Sequence, residues 1–139
     1  MTRKYLPTFA ELIDRMSIVQ MKAIFIPEHS EAYKDEIRLI LHDIDEIITE
    51  TPDFRPDAKT IHAILLVMLS NRVVWENESI ARQGGSDQDA RLKFTHSING
   101  VRNSAKNIIA AKIGGRQDWK IDSFAAELVE QFGNWRVFE

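Results

Sequence analysis

The sequence contains no cysteine, which excludes disulfide bonds, thiolate catalysis and zinc–sulfur sites. Its four prolines and six glycines are too few for a low-complexity or fibrous chain. No stretch approaches the roughly 18 apolar residues of a membrane span, and the opening MTRKYLPTF lacks the apolar run of a signal peptide. These absences predict a soluble, cytoplasmic protein with no membrane partner.

What is present favours one folded unit. The chain has 139 residues, of which 44% are hydrophobic and 28% charged. A chain of this length can bury a substantial core, and no shift in composition suggests a second one. We therefore expect a single domain spanning residues 1–139.

The net charge of −3 conceals an uneven distribution. Residues 28–57 contain ten acidic and three basic side chains, whereas residues 82–120 contain eight basic and three acidic ones. Oppositely charged segments can attract each other within one chain or between two copies, and a basic segment can also bind phosphate or nucleic acid. Because clusters of both signs weaken any general attraction to nucleic acid, the pattern favours attraction between helices, within one chain or in a homo-oligomer, over a nucleic-acid partner.

Helix boundaries can be read from the first half of the chain. Thr8 is a good N-cap, and Glu11, three residues later, completes a capping box. This first helix should continue to Ile26, where Pro27 stops it. A second helix is predicted over residues 31–50, with an apolar stripe at intervals of three and four. The stripe consists of Tyr33, Ile37, Ile40, Ile44 and Ile47.

The second half of the chain also contains residues that begin and end helices. Asp57 should cap a third helix, Ala58–Arg82, which ends before the glycine pair at 84 and 85. A fourth helix is predicted from Ser86 to Gly114, and a short fifth from Ser123 to Phe132. No segment shows the period-two alternation of a strand. The sequence therefore predicts an all-α fold, a bundle of four main helices plus a short C-terminal helix. The core stripe of the fourth helix should be Phe94, Ile98, Val101, Ala105 and Ile108.

Polar side chains interrupt the third and fourth helices. The segment SINGVRNSAKN places Asn99, Asn103 and Asn107 four residues apart, although asparagine is a weak helix former. A buried amide without a partner costs on the order of 1 to 3 kcal/mol, so asparagines beside a core need partners. Two interpretations remain open: the asparagines form hydrogen bonds between helices, or they line a pocket.

The pocket interpretation assigns a role to each polar residue between the third and fourth helices. Arg82 and Arg102 would bind negative charge, Asn99 and Asn103 would orient the ligand, and Trp75 would form an apolar or stacking wall. A nucleotide-like anion would satisfy all three roles. The candidate ligand-binding residues are Trp75, Glu78, Arg82, Asn99, Arg102 and Asn103.

The same residues carry a resemblance to a known family. The segments WENESIAR and INGVRN, residues 75–82 and 98–103, resemble the W-x-x-E-x-x-A-R and L-N-x-x-R-N pattern of an uncharacterised helical family of bacteria and bacteriophages. FAELIDRMSI, residues 9–18, resembles the F-x-E-L-I-D-R-L-S-I opening of similar small proteins. This sequence departs from the pattern at Ile98 and Glu76, where leucine and histidine are common. The resemblance implies a helical fold and a shared polar network, but it names no substrate.

An enzyme is the alternative. Glu11-x-x-Asp14 and Asp43-x-x-Glu46 resemble the E-x-x-E and E-x-x-D motifs with which MazG-like nucleoside triphosphate pyrophosphohydrolases hold magnesium. Three-residue spacing puts both acids of a pair on one helical face, where four carboxylates would suit a hard divalent cation. The chain departs from these motifs in having Ala10 before the first acid and the second pair in reverse order. Magnesium is expected only under this alternative, and no other cofactor is predicted.

Overall fold

A computed structural model describes residues 4–84 and 88–114. Its elements in that part of the chain are α1 (Phe9–Phe25), a 3-10 turn (Pro27–His29), α2 (Ser30–Thr49), α3 (Ala58–Arg82) and α4 (Gln88–Ile113). The described residues contain no strand, which confirms the all-α prediction. The predicted fifth helix, residues 123–132, lies outside them. None of the four helices combines the length and the apolar content that crossing a bilayer requires.

The first two helices begin and end close to their predicted positions. Thr8 and Glu11 form the expected capping box, in which each backbone N–H donates to the other residue's side-chain oxygen at 3.3 Å. Pro27 opens the 3-10 turn that separates α1 from α2. Helix α2 begins at Ser30 and ends at Thr49, each one residue earlier than predicted.

Local groups also define the ends of α3 and α4. The Oδ1 atom of Asp57 accepts hydrogen bonds from the backbone N–H and the hydroxyl of Thr60, at 2.8 and 2.6 Å. Gly84 and Gly114 follow the two helices with φ of +82° and +96°, a conformation that side chains disfavour. The predicted start of α4, Ser86, lies outside the described residues, and the helix begins at Gln88.

Helices α3 and α4 form an antiparallel pair. Lys112, near the end of α4, lies 3.5 Å from Asp57 at the start of α3, and Thr95, near the start of α4, is bonded to Asn77. Helix α1 packs on both members of this pair, while α2 packs on α1 and makes no close backbone approach to α3 or α4. Helix α1 is therefore the central element of the described bundle.

The hydrophobic core has two parts. The larger part surrounds α1 and includes Val19, Val67 and Ile109, all fully buried. The smaller part lies between α3 and α4, where Ile98 and Val101 pack against Val73, Val74 and Phe94. The predicted stripe of α4 is confirmed: three of its residues are buried, and Phe94 and Ile108 are half-buried against the core. This packing brings polar side chains of α3 and α4 close to each other and to polar side chains of α1.

Candidate functional site

A network of hydrogen bonds crosses the junction of α1, α3 and α4, with Asn71 at its centre. The Nδ2 atom of Asn71 donates to Oδ1 of Asp14 at 2.7 Å and to Oγ of Ser17 at 2.6 Å. Its Oδ1 atom accepts a hydrogen bond from Nη1 of Arg102 at 3.0 Å. Asn71 is only 4% exposed, so one buried amide uses both ends to connect three helices.

Helical spacing places the members of this network. Asp14 and Ser17 lie three residues apart on α1, and Arg102 and Lys106 lie four apart on α4, so each pair shares a helix face. The Ser17 hydroxyl donates to the backbone oxygen of Asp14 at 2.8 Å, which leaves its oxygen lone pairs to accept from Asn71. The helical spacing therefore determines which side chains share a face. The packing of the helices then brings Asp14, Ser17 and Arg102 within hydrogen-bonding distance of Asn71.

The junction carries more positive than negative charge. The Nζ atom of Lys106 lies 3.5 Å from Oδ2 of Asp14, and both side chains are 16% exposed. Arg102, in contrast, donates to the neutral amide oxygen of Asn71. Two cations and one carboxylate leave a formal charge of +1 among these three ionic groups. Because the groups are largely shielded from solvent, salt screens this charge less than it would at the surface.

Buried polar atoms at this junction have unused hydrogen-bonding capacity. Three side-chain atoms in the described part of the chain are buried and have no hydrogen-bond partner. They are the Nε atom of Arg102, the Oδ1 atom of Asn99 and the Oγ atom of Ser70. Asn99 and Arg102 lie three residues apart and therefore share a face of α4. A donor and an acceptor thus lie near each other, beside the excess positive charge.

The structure separates the six predicted ligand-binding residues. Arg102 belongs to the junction, Asn99 lies three residues before it on α4, and Asn103 is buried within the bundle. Trp75 is half-buried and follows Asn71 by one turn of α3. Its ring packs against Phe25 of α1, with 6.1 Å between the ring centroids. The tryptophan therefore borders the junction from the side of α1.

The remaining two ligand-binding candidates lie further towards the C-terminal end of α3. Glu78 and Arg82 are exposed on its last turns. Arg82 is about 16 Å from Asn71 along the helix, at the 1.5 Å rise per residue of an α-helix. A compact ligand at Arg102 would therefore not reach Arg82 along α3.

The structure does not bring the four candidate metal ligands together. Glu11 belongs to the capping box, and Asp14 is bonded within the junction. Asp43 and Glu46 are exposed on α2, where they lie 3.2 and 3.8 Å from ring nitrogens of His42. No three acidic, histidine or cysteine side chains in the described residues are arranged to hold a metal ion. The arrangement offers no support for the magnesium-dependent alternative.

A second polar bridge connects α3 and α4 two turns further along. The Nδ2 atom of Asn77 donates to Oγ1 of Thr95 at 2.6 Å and to the backbone oxygen of Arg91 at 2.7 Å. The guanidinium of Arg91 returns a hydrogen bond to Oδ1 of Asn77 at 3.2 Å. Sequence reasoning did not assign Asn71 or Asn77 to a site. For Asn71 a signal was present, since this amide lies within the mainly apolar run of residues 64–74, whereas Asn77 lies among polar residues.

Asn107, the third asparagine of the segment SINGVRNSAKN, lies towards the C-terminal end of α4. Asn107 lines an open surface pocket of about 390 Å³ together with Asp57, Thr60 and Lys112. The hydrogen bonds from Thr60, with a smaller contribution from Lys112, lower the pKa of Asp57 to about 2. A carboxylate that stays ionised disfavours an anion in this pocket. The junction around Arg102 is therefore the better candidate for an anionic ligand.

Comparison of the chain with protein-family models, with curated proteins and with solved structures finds no match. The two family resemblances therefore stay predictions.

Proposed function

We propose that the protein is a cytoplasmic, homo-oligomeric binding module for an anionic, nucleotide-like small molecule, which Arg102 contacts at the junction of α1, α3 and α4. The observation that carries the proposal is the state of this guanidinium. It is bonded to a neutral amide oxygen, and its Nε atom is buried without a hydrogen-bond partner among the described residues. An anionic oxygen would supply the missing acceptor through a charge-assisted hydrogen bond.

The neighbouring groups narrow the chemistry of the ligand. The surplus positive charge of Arg102 and Lys106 over Asp14 favours an anion such as a phosphate. The unpaired Oδ1 atom of Asn99 needs a donor, which an ionised phosphate oxygen does not provide. A molecule that carries both an anionic group and a hydroxyl or amino group would satisfy both residues. Nucleotides have this combination.

An aromatic residue borders the same site. Trp75 lies one turn from Asn71, the residue that holds Arg102. One side of its ring is in contact with Phe25, so a ligand would have to stack on the side left uncovered. In this proposal Trp75 is an apolar wall, and Arg102 and Asn99 provide the specific contacts.

Titration calorimetry tests the proposal with inorganic phosphate, nucleoside monophosphates and nucleoside triphosphates as probes. We expect the wild-type protein to bind at least one nucleotide more tightly than inorganic phosphate. Arg102→Gln should weaken that binding at least tenfold, because it removes the charge and the Nε donor. Arg15→Gln is the matched control: Arg15 is exposed on α1 and bonded to Glu36, so its loss should leave affinity unchanged.

Arg102→Gln also changes the hydrogen bond to Asn71, so its stability must be compared with that of the wild type. Arg102→Lys separates the effects, because it keeps a positive charge but lacks the guanidinium fork. Native mass spectrometry of the wild-type protein would report the subunit number and any retained ligand together. Failure of every probe to bind, or wild-type affinity in a folded Arg102→Gln variant, would contradict the proposed site.

A further inference from the structure

The carboxylate of Asp14 supplies negative charge to the junction of α1, α3 and α4. Its Oδ1 atom accepts the 2.7 Å hydrogen bond from Asn71, and its Oδ2 atom lies 3.5 Å from Nζ of Lys106. Both carboxylate oxygens therefore have a partner, and the side chain is only 16% exposed. These contacts hold the carboxylate in place on the α1 side of the site proposed around Arg102.

Other charged side chains close in sequence to the junction have partners elsewhere. Arg15 pairs with Glu36 of α2 at 2.7 Å, and Arg72 pairs with Glu76 of α3 at 2.8 Å. Glu11, the other acidic residue of α1, forms the capping box at the helix N-terminus, whose partial positive charge offsets its own. The formal charge that a ligand meets at the junction is therefore the +1 of its three ionic groups.

A single negative charge on the ligand balances this junction. Arg102 and Lys106 carry two positive charges, and Asp14 already balances one of them. An uncompensated charge that is shielded from water is costly. A monoanion leaves the junction neutral, whereas each further negative charge on the ligand stays unbalanced and is repelled by Asp14.

The carboxylate is close enough to the guanidinium for this repulsion to act. Asp14 and Arg102 are bonded to the two ends of one amide group, that of Asn71. Their charged groups thus lie within about 10 Å, the distance over which charges still interact in about 0.1 M salt. Asp14 is therefore positioned to limit the negative charge that a ligand brings to Arg102.

We propose that Asp14 makes the junction selective for a ligand with one negative charge, a nucleotide whose phosphate is a diester, over phosphate monoesters and triphosphates. This inference rests on the proposed function and specifies the ligand class of that same site. A phosphodiester carries one negative charge at neutral pH. A monoester carries close to two, because its second pKa is about 6, and a triphosphate carries more.

A 3′,5′-cyclic nucleotide is a compact member of this class. Its ribose holds a free 2′-hydroxyl close to the cyclic phosphate on a rigid ring system. The phosphate would accept a hydrogen bond from the buried Nε atom of Arg102, and the hydroxyl would donate to the buried Oδ1 atom of Asn99. Because these two residues lie three apart on one face of α4, the cyclic phosphate and the hydroxyl suit them as a pair.

Titration calorimetry of the wild-type full chain tests the selectivity at about pH 8, where a phosphate monoester is dianionic. The probes share one base and are the 3′,5′-cyclic nucleotide, the 5′-monophosphate and the 5′-triphosphate. We expect the cyclic nucleotide to bind at least tenfold more tightly than the triphosphate, with the monophosphate between them. Affinity that rises with the charge of the nucleotide would overturn the inference and leave the proposed site in place.

The variant Asp14→Asn tests whether this carboxylate is the cause. It removes one negative charge but keeps an oxygen that can accept the hydrogen bond from Asn71. The preference for the cyclic nucleotide over the monophosphate should therefore fall at least tenfold. Glu36→Gln is the matched control, because it removes the same charge from α2, where Glu36 pairs with the exposed Arg15. Its preference should equal that of the wild type.

The outcomes separate this inference from the proposed function. An unchanged preference in Asp14→Asn that circular dichroism shows to be folded would overturn the role of Asp14, as would an equal change in Glu36→Gln. If Asp14→Asn does not fold, the order of affinities in the wild type still decides the selectivity. Failure of all three nucleotides to bind the wild-type protein would overturn the proposed function itself.

Discussion

Asn71 and Arg102, on neighbouring antiparallel helices, are joined by a 3.0 Å hydrogen bond from the guanidinium to the amide oxygen. The same amide donates to Asp14 and Ser17, so the position of the arginine is coupled to α1 as well as to α3. A neutral acceptor orients the guanidinium without neutralising it. This combination makes one network both a structural bridge and a candidate anion site.

The first prediction concerns the centre of that network. Asn71→Ala should lower the free energy of unfolding by about 1 to 3 kcal/mol, because it leaves buried polar groups of Asp14 and Arg102 without their partner. Urea denaturation measures this loss. Gln20→Ala, an exposed substitution on α1, should change it by less than about 0.5 kcal/mol. Equal stabilities of the two variants would contradict a structural role for Asn71.

The second prediction uses Asn103 to separate the two interpretations of the asparagines on α4, namely hydrogen bonds between helices or the lining of a pocket. This residue is buried, so Asn103→Ala should destabilise the fold by about 1 to 3 kcal/mol, as expected of a hydrogen-bonded amide. An asparagine that awaits a ligand would be hydrated in its absence, and its removal would cost little. Thermal unfolding without ligand distinguishes the cases, and an unchanged melting temperature would favour the pocket interpretation.

The third prediction concerns the bridge between Asn77 and Thr95. Since the two side chains share a buried 2.6 Å hydrogen bond, Asn77→Ala and Thr95→Val should not be additive. A double-mutant cycle should give a coupling of about 0.5 to 3 kcal/mol. The same cycle between Asn77 and Gln20, which lies exposed on α1, provides the additive control. Additivity of the first pair would mean that the bridge contributes nothing to stability.

The fourth prediction is a dependence of stability on acid pH. The hydrogen bonds from Thr60 lower the pKa of Asp57 from 3.8 to about 2, so folding favours its ionised form. This stabilisation is fully present above the unfolded pKa, and it is lost as the pH falls from about 4 towards 2. Asp57→Asn should therefore reduce the change in melting temperature over that interval. Asp45→Asn, which leaves the helix cap intact, serves as control, and identical profiles for the wild type and Asp57→Asn would refute the prediction.

The fifth prediction concerns His42 on the exposed face of α2. The hydrogen bond with Asp43, and next the charge of Glu46, raise its pKa above 6.5. The associated stabilisation is full below pH 6.5 and is lost as the pH rises through the raised pKa. Titration of the imidazole by NMR should give a midpoint above 6.5, and Asp43→Asn should lower it. A midpoint that does not respond to this change would exclude Asp43 as the cause.

Sequence alone was sufficient for the fold class and for most helix ends, because local groups produce both. Thr8 and Glu11 satisfy each other's backbone donors three residues apart, and Asp57 does the same for Thr60. Gly84 and Gly114 adopt the positive φ that ends a helix. These interactions need no distant residue, so they can be predicted from a short stretch of sequence. The apolar stripe of α4 could also be predicted, because its spacing follows from helix geometry.

The candidate site could be predicted only in part. Arg102 and Asn99 were among the predicted ligand-binding residues, but Asn71, which links Arg102 to α1, was not. The four carboxylates on α1 and α2 had suitable spacing within each helix, yet the structure keeps them apart. Spacing determines which side chains share a face, but not which faces meet.

The sequence by itself therefore determined the four described helices, most of their ends and the core-facing stripes of α2 and α4, since all of these depend on neighbours within about one turn. Only the tertiary structure decided that Asn71 bonds to Asp14, 57 residues away, and to Arg102, 31 residues away. Such pairings depend on how helices rotate and cross when the core packs, and a shift of one residue would turn an amide from its partner. The same packing left Ile61, Leu65, Met68 and Leu69 of α3 exposed, although they are as apolar as the residues of the core.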